Sequence, residues 1–269
     1  MRHPKELLFA SLAAENAAAF YADLVAYLSQ AVGRRMSLAE DDACQEREVR
    51  LTRGQAHLGV VCGLQYVCSR ERGDEPGIEL LAAAVMRGRR YGQRPVYFSD
   101  VVVRTGHSAR TFEDLSGARF AYNERTSHSG YGVVRYALAT QGHGSGFFGS
   151  IVQSGAHQQS LALIAGGTVD ASAIDSTVLE TEFVRTPELR RQLRVVTTLG
   201  PSPIPPLVVS RVVPSALRKD LRTALLDMQR DPRGSHVLSS GRVHRYVEVQ
   251  DSDYDPIRVM AKAGASITL

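Results

Sequence analysis

The chain has 269 residues, 43% hydrophobic and 22% charged, and its 32 basic and 28 acidic side chains give a formal charge of +4. That length suits one large domain or two of ordinary size. The composition lacks both the polar excess of a disordered chain and an apolar run long enough to cross a bilayer, so direct membrane insertion is not expected. The arginines are scattered ("VGRRMS", "MRGRRYGQR", "ELRRQLR") with no dense block, so nucleic acid is not expected as a partner, whereas a gently positive surface suits a small anion.

Cys44, Cys62 and Cys68 match neither a zinc ribbon nor a redox pair, and their odd number argues against a disulfide framework. Cys62, in the apolar run "LGVVCGLQYV", reads as a buried small hydrophobe. "MRHPKELLFASL" passes from charge straight into a core strand, without the sustained apolar segment and small-residue cleavage site of an export signal. The expectation is a cytoplasmic protein, or a periplasmic or extracellular one whose leader is omitted from the sequence.

"ELLFASL" reads as a strand and "AENAAAFYADLVAYLSQAVG" as an amphipathic helix. Phe20, Leu24, Tyr27 and Leu28 fall at helical spacing, with Gly33 as the stop. "EVRLTRGQAHLGVVCGLQYVCSR" predicts a short helix or turn, then a buried strand closing on Gly63. "IELLAAAVMRG" and "RPVYFSDVVVRT" are further strands, and "TFEDLSGARFAY" is a short helix, a turn and a strand. Beyond "NERTSHSGYG" come the helix "YGVVRYALATQG", the strand "SIVQSG", the helix "HQQSLALIAGGTV", the strand "DASAID" and the helix–strand stretch "TPELRRQLRVVTTLG". "VPSALRKDLRTALLDM" is again helical, with Leu217, Leu221, Leu225 and Met228 on one face. Such alternation is the pattern of an α/β protein with largely parallel sheets. "PSPIPP" removes four backbone donors, which excludes a central strand or a helix and leaves a stiff passage from one lobe to another, a rigid ligand-facing loop or an ordinary connecting loop.

"NERTSHSGYG" sits where a strand hands over to a helix. Its hydroxyls are ordinary helix caps, and the same first-turn N–H groups also make a socket for an anion. The eight histidines are dispersed with no HxxxH or HExxH pattern, so no metal, cofactor or catalytic residue is predicted.

In order and interval, "LGVVCGLQYV", "RPVYFSDVVVRTGHSARTFEDLSGARFAYNERTSHSGYG", "VQSGAHQQSLALIAGGTVDASAIDSTVLE" and "LGPSPIPPLVVS" resemble the phosphate/phosphite/phosphonate-binding proteins of ABC transporters. The resemblance implies a two-lobed type II periplasmic-binding-protein fold, each lobe a mostly parallel sheet flanked by helices and joined by two crossover strands. Residues 1–97 with 201–269 would form one lobe and 98–200 the other. It also implies a non-catalytic, monomeric solute-binding protein for a small phosphorus oxyanion held in the interlobe cleft, with an ABC transporter permease as partner. A cytoplasmic enzyme or a ligand sensor on the same fold is the alternative.

Ser127, His128, Ser129 and Gly130 match the family's Ser-Thr-Ser-Gly stretch, which holds the oxyanion at a helix N-terminus; His128 replaces the usual Thr and is free to donate one hydrogen bond, to add charge when protonated, or to point to solvent. Tyr97, with Ser99 as a weaker companion, and His157 match family ligand contacts; each has a plain alternative in packing, capping or surface exposure. Asp175 matches an acidic residue whose carboxylate repels an anion unless the ligand donates a proton or carries an amine; otherwise it is a helix cap. Gln65 and Tyr66 are the expected contributions from the first lobe.

Overall fold

Strand β1 (Glu6–Ser11) alternates buried and partly exposed residues, and its inward-facing Leu7 and Phe9 are almost fully enclosed. In this computed structural model, residues 6–39 and 44–269 are described; the expectations for the first five residues and for the Cys44 side chain lie outside the described parts. Helix α1 (Ala18–Ala31) sets Phe20, Leu24, Val25 and Leu28 into the core, each worth about 1.5–3 kcal/mol of burial. Gly33, at φ +63, ends it in a left-handed conformation that suits glycine.

The chain continues through β2 (Arg35–Leu38), α2 (Cys44–Thr52), β3 (Leu58–Val60), α3 (Gly63–Arg72), β4 (Ile78–Met86), β5 (Val96–Arg104) and β6 (Arg119–Tyr122). A π-helical turn (His128–Gly132) leads into α4 (Val133–Thr140), followed by β7 (Ser150–Gln153), α5 (His157–Ala165), β8 (Ala171–Asp175), α6 (Ser176–Arg185), α7 (Pro187–Gln192) and β9 (Leu193–Pro203). The last elements are β10 (Pro206–Ser210), α8 (Ser215–Asp227), α9 (Pro232–Ser240), β11 (Val243–Val247) and α10 (Asp255–Ala263).

These elements form two units. The first holds the chain up to Val96 together with Pro203–Tyr254, and its sheet has the order β11-β4-β10-β3-β1-β2. The second holds Tyr97–Ser202 with Asp255–Leu269, and its sheet has the order β7-β6-β8-β5-β9. Strands β2 and β3 run parallel to β1, whereas β10 is antiparallel to both β3 and β4, and β11 is antiparallel to β4. Thus β1 to β4 share one direction, and only strands from the chain's return run against them. In the second sheet β6, β7 and β8 are parallel, and β5 opposes β8. Both sheets are therefore mixed, with parallel pairs where a helix connects the strands.

Three details correct the sequence reading, and a fourth refines it. Residues 255–269, assigned there to the first lobe, pack in the second unit: Arg135 donates to the Ile267 and Ala265 carbonyls at 2.6 and 2.9 Å. Cys62 is only half-buried because the apolar run ends at Val61 and Cys62 caps α3, a helix where a strand end was expected. The stretch "PSPIPP" is the expected stiff passage from one unit to the other, made of two strand ends with Ile204 and Pro205 between them. Pro201 and Pro203 lie in β9, at the sheet edge where a missing donor is tolerated, and Pro206 is the first residue of β10. His128, for which solvent was one expectation, is 1% exposed.

Candidate anion site at the strand ends of the second unit

Because β6, β7 and β8 are parallel, their C-terminal ends share one edge of the sheet, and the helices that follow all begin there. Strand β5 runs the other way and brings Tyr97 and Ser99 to that same edge. Ligands of open α/β sheets bind outside the carboxyl ends of the strands.

The π turn after β6 is the centre of the cluster. The Gly132 N–H donates to the Ser127 carbonyl at 3.0 Å, the five-residue step of a π turn. Ser127 caps the turn by accepting from the Gly130 N–H at 3.1 Å. Ser127 Oγ and Ser129 Oγ are 3.4 Å apart, and Ser129 Oγ is 3.0 Å from Nε2 of His157, the first residue of α5. The Ser99 hydroxyl donates to the Ser129 carbonyl at 2.5 Å. Nε2 of His128 lies 2.9 Å from Ser202 Oγ. A Cβ on Gly130 would stand 1.9 Å from Asn123 Oδ1, so a side chain there would displace Asn123.

Burial sets the charge of this cluster. It pushes both His128 and His157 down to about 4, so both imidazoles are neutral near pH 7. His157 Nδ1 is buried with no hydrogen-bond partner among the described residues. Asp175 caps α6, accepting from the Thr177 N–H and hydroxyl at 2.7 Å each, and burial raises its carboxyl to about 6 against the lowering effect of those bonds. The cluster thus gathers hydroxyls, neutral imidazoles and a helix N-terminus, groups of the kind that can hold an oxyanion without a cation.

Ser127, His128, Ser129, Gly130, Ser99 and His157 are joined through these bonds, and Asp175 is the register partner of Ser99. Tyr97 is buried in β5 at the same edge. Gln65 and Tyr66 belong to the first unit, where their polar groups are engaged. Gln65 accepts from the Cys62 N–H at 3.2 Å and donates to Glu48 at 2.7 Å, which makes it a cap of α3. The Tyr66 hydroxyl donates to Asp251 at 2.7 Å. Ser202 was missed by sequence reasoning; it sits 74 positions from His128, and nothing local to "PSPIPP" marks it.

The sequence model of the family described as "ABC transporter, phosphonate, periplasmic substrate-binding protein" matches residues 8–254. The chain belongs to that family. Its members are solute-binding proteins of transporters. Solved structures show the same fold at low identity. A binding-protein component of an ABC phosphonate transporter from Pseudomonas aeruginosa is 18% identical with a TM-score of 0.84, covering 98% of this chain and 87% of that one. PhnD1 from Prochlorococcus marinus, in complex with methylphosphonate, is 17% identical with a TM-score of 0.84, covering 98% and 100%. The alkanesulfonate-binding protein SsuA from Xanthomonas axonopodis, bound to MOPS, is 16% identical with a TM-score of 0.67, covering 100% and 96%. The fold of this family member is that of the type II periplasmic binding proteins. Among the described residues no helix is long and apolar enough to cross a membrane.

Proposed function

We propose that the protein binds a small phosphorus oxyanion, a phosphonate first of all, as the solute-binding component of an ABC transporter, and that the anion is held at the turn Ser127–Gly130. The carrying observation is the convergence at one sheet edge of Ser99, Ser127, Ser129 and His157 on the first turn of the helix that follows β6. Family membership and the methylphosphonate complex of the Prochlorococcus relative support the same class of ligand. A transporter permease as partner belongs to this proposal.

The test is titration calorimetry of the purified chain with methylphosphonate, 2-aminoethylphosphonate, phosphite, phosphate and sulfate. At least one phosphorus anion binds with a dissociation constant in the micromolar range or tighter, and sulfate binds far more weakly because it presents no proton to Asp175 near neutral pH. Absence of heat with every phosphorus anion overturns the proposal.

A further inference from the structure

We propose that Ser202 is a positioning residue of the anion turn and acts through His128. The inference rests on the turn being where the ligand binds. Ser202 lies near the end of β9, the edge strand beside β5, and is 3% exposed. Its hydroxyl is 2.9 Å from His128 Nε2 and 3.9 Å from the Met260 thioether of α10. His128 is the first residue of the π turn.

The turn needs such a tie. Side-chain bonds hold this turn at several points, so the direction of its amides depends on them. Three of the bonds described above act at residues 129 and 130: Ser127 on the Gly130 N–H, Ser99 on the Ser129 carbonyl, and His157 on the Ser129 hydroxyl. The His128–Ser202 bond acts one residue earlier, at the head of the turn. A neutral imidazole has one N–H and one lone pair, and a hydroxyl can serve either one. The pair therefore fixes the turn without adding charge beside a ligand recognised through hydrogen bonds. Removing the hydroxyl takes away one buried restraint on the imidazole, and the head of the turn loses part of its fixed aim.

The test compares wild type, Ser202→Ala, Ser202→Thr, His128→Ala and the double variant His128→Ala/Ser202→Ala, using the full chain and methylphosphonate in calorimetry, with thermal melting of each ligand-free protein. Ser202→Ala weakens binding about tenfold with little change in melting temperature, and Ser202→Thr, which keeps the hydroxyl, restores affinity to within about threefold. In the His128→Ala background Ser202→Ala adds less than about twofold, because the route through the imidazole is already gone. Unaltered affinity in Ser202→Ala, or the same loss in both backgrounds, overturns the assignment while leaving the proposed function intact. A wild-type protein silent toward methylphosphonate and every other phosphorus oxyanion overturns both.

Discussion

Ser99 and Asp175 are register partners across the antiparallel β5–β8 pair, so their side chains leave the sheet on the same face. The Ser99 hydroxyl is spent on the Ser129 carbonyl, and the Asp175 carboxylate holds the start of α6. Asp175 is thus the helix cap that one of its two sequence alternatives named, and a role toward a ligand would be a second use of the same carboxyl. Under the proposed function this carboxyl also receives a ligand proton or amine. In Asp175→Asn the affinity for 2-aminoethylphosphonate falls at least about tenfold, while that for fully ionised methylphosphonate, measured at alkaline pH, is unchanged or improved. Equal losses for both ligands in calorimetry would remove Asp175 from the recognition of donor-bearing ligands.

The same carboxyl links stability to pH. Burial raises it from 3.8 to about 6 in the folded protein. The native state therefore holds a proton that the unfolded chain has released, and Asp175's contribution is complete below pH 3.8 and is lost as pH rises through about 6. Asparagine keeps the acceptor for the Thr177 N–H and cannot ionise. The melting temperature of Asp175→Asn, relative to wild type, accordingly climbs between pH 4 and 7. A difference that stays flat or declines over that interval contradicts the assignment.

The strand–helix alternation and the strand–turn–helix around Ser127 were legible because each is written in local pattern. "RFAY" followed by hydroxyls and "VVRYALAT" needs nothing distant to be read. Strand β2 was not legible: its four residues are held by parallel register with β1, not by any periodicity of their own. Strand β9 runs on into two prolines because it is an edge, a fact of sheet order that "PSPIPP" does not carry. Gln65 looked like a ligand donor beside a strand end, and became a cap once Gly63 opened a helix. The His128–Ser202 contact joins residues far apart in the chain, beyond any motif.

Removing the two turn hydroxyls tests the centre of the site. The double variant Ser127→Ala/Ser129→Ala loses the cap on Gly130, the partner of His157 and two donors for an oxyanion. Methylphosphonate affinity drops by at least about tenfold, a lower limit for two charge-assisted bonds. The cap alone costs about 1 kcal/mol of stability, so the protein remains folded for calorimetry. Wild-type affinity in this variant would move the anion elsewhere.

The buried imidazoles predict the opposite pH dependence from Asp175. Burial holds His128 and His157 near 4 in the folded state, against 6.5 in the unfolded chain. Between these values the unfolded chain binds protons that the native state refuses. Their stabilising contribution is therefore full above pH 6.5 and is lost as pH falls toward 4. For each ring the linked change is on the order of 3 kcal/mol. His157→Gln keeps a polar group facing Ser129 and removes one ring's share. Its denaturant midpoint thus falls less than that of the wild type between pH 7 and pH 4.5. Parallel curves for the two proteins would show that the folded His157 titrates like an exposed histidine.

Gly130 carries a steric prediction that needs no ligand. Its φ is ordinary, and the constraint is the Asn123 side chain, whose Oδ1 and Cγ would stand 1.9 and 3.1 Å from an added Cβ. Alanine there forces Asn123 out of a partly buried position or shifts the π turn, an overpacking cost of about 1–3 kcal/mol. If the clash is with that side chain alone, Asn123→Ala relieves it, because the next atom the Cβ meets is the Asn123 backbone nitrogen at an ordinary 3.4 Å. Chemical denaturation should place Gly130→Ala well below wild type and the double variant Gly130→Ala/Asn123→Ala close to Asn123→Ala alone. An additive loss in the double variant would mean that glycine serves the turn through its backbone freedom and not through the space it leaves.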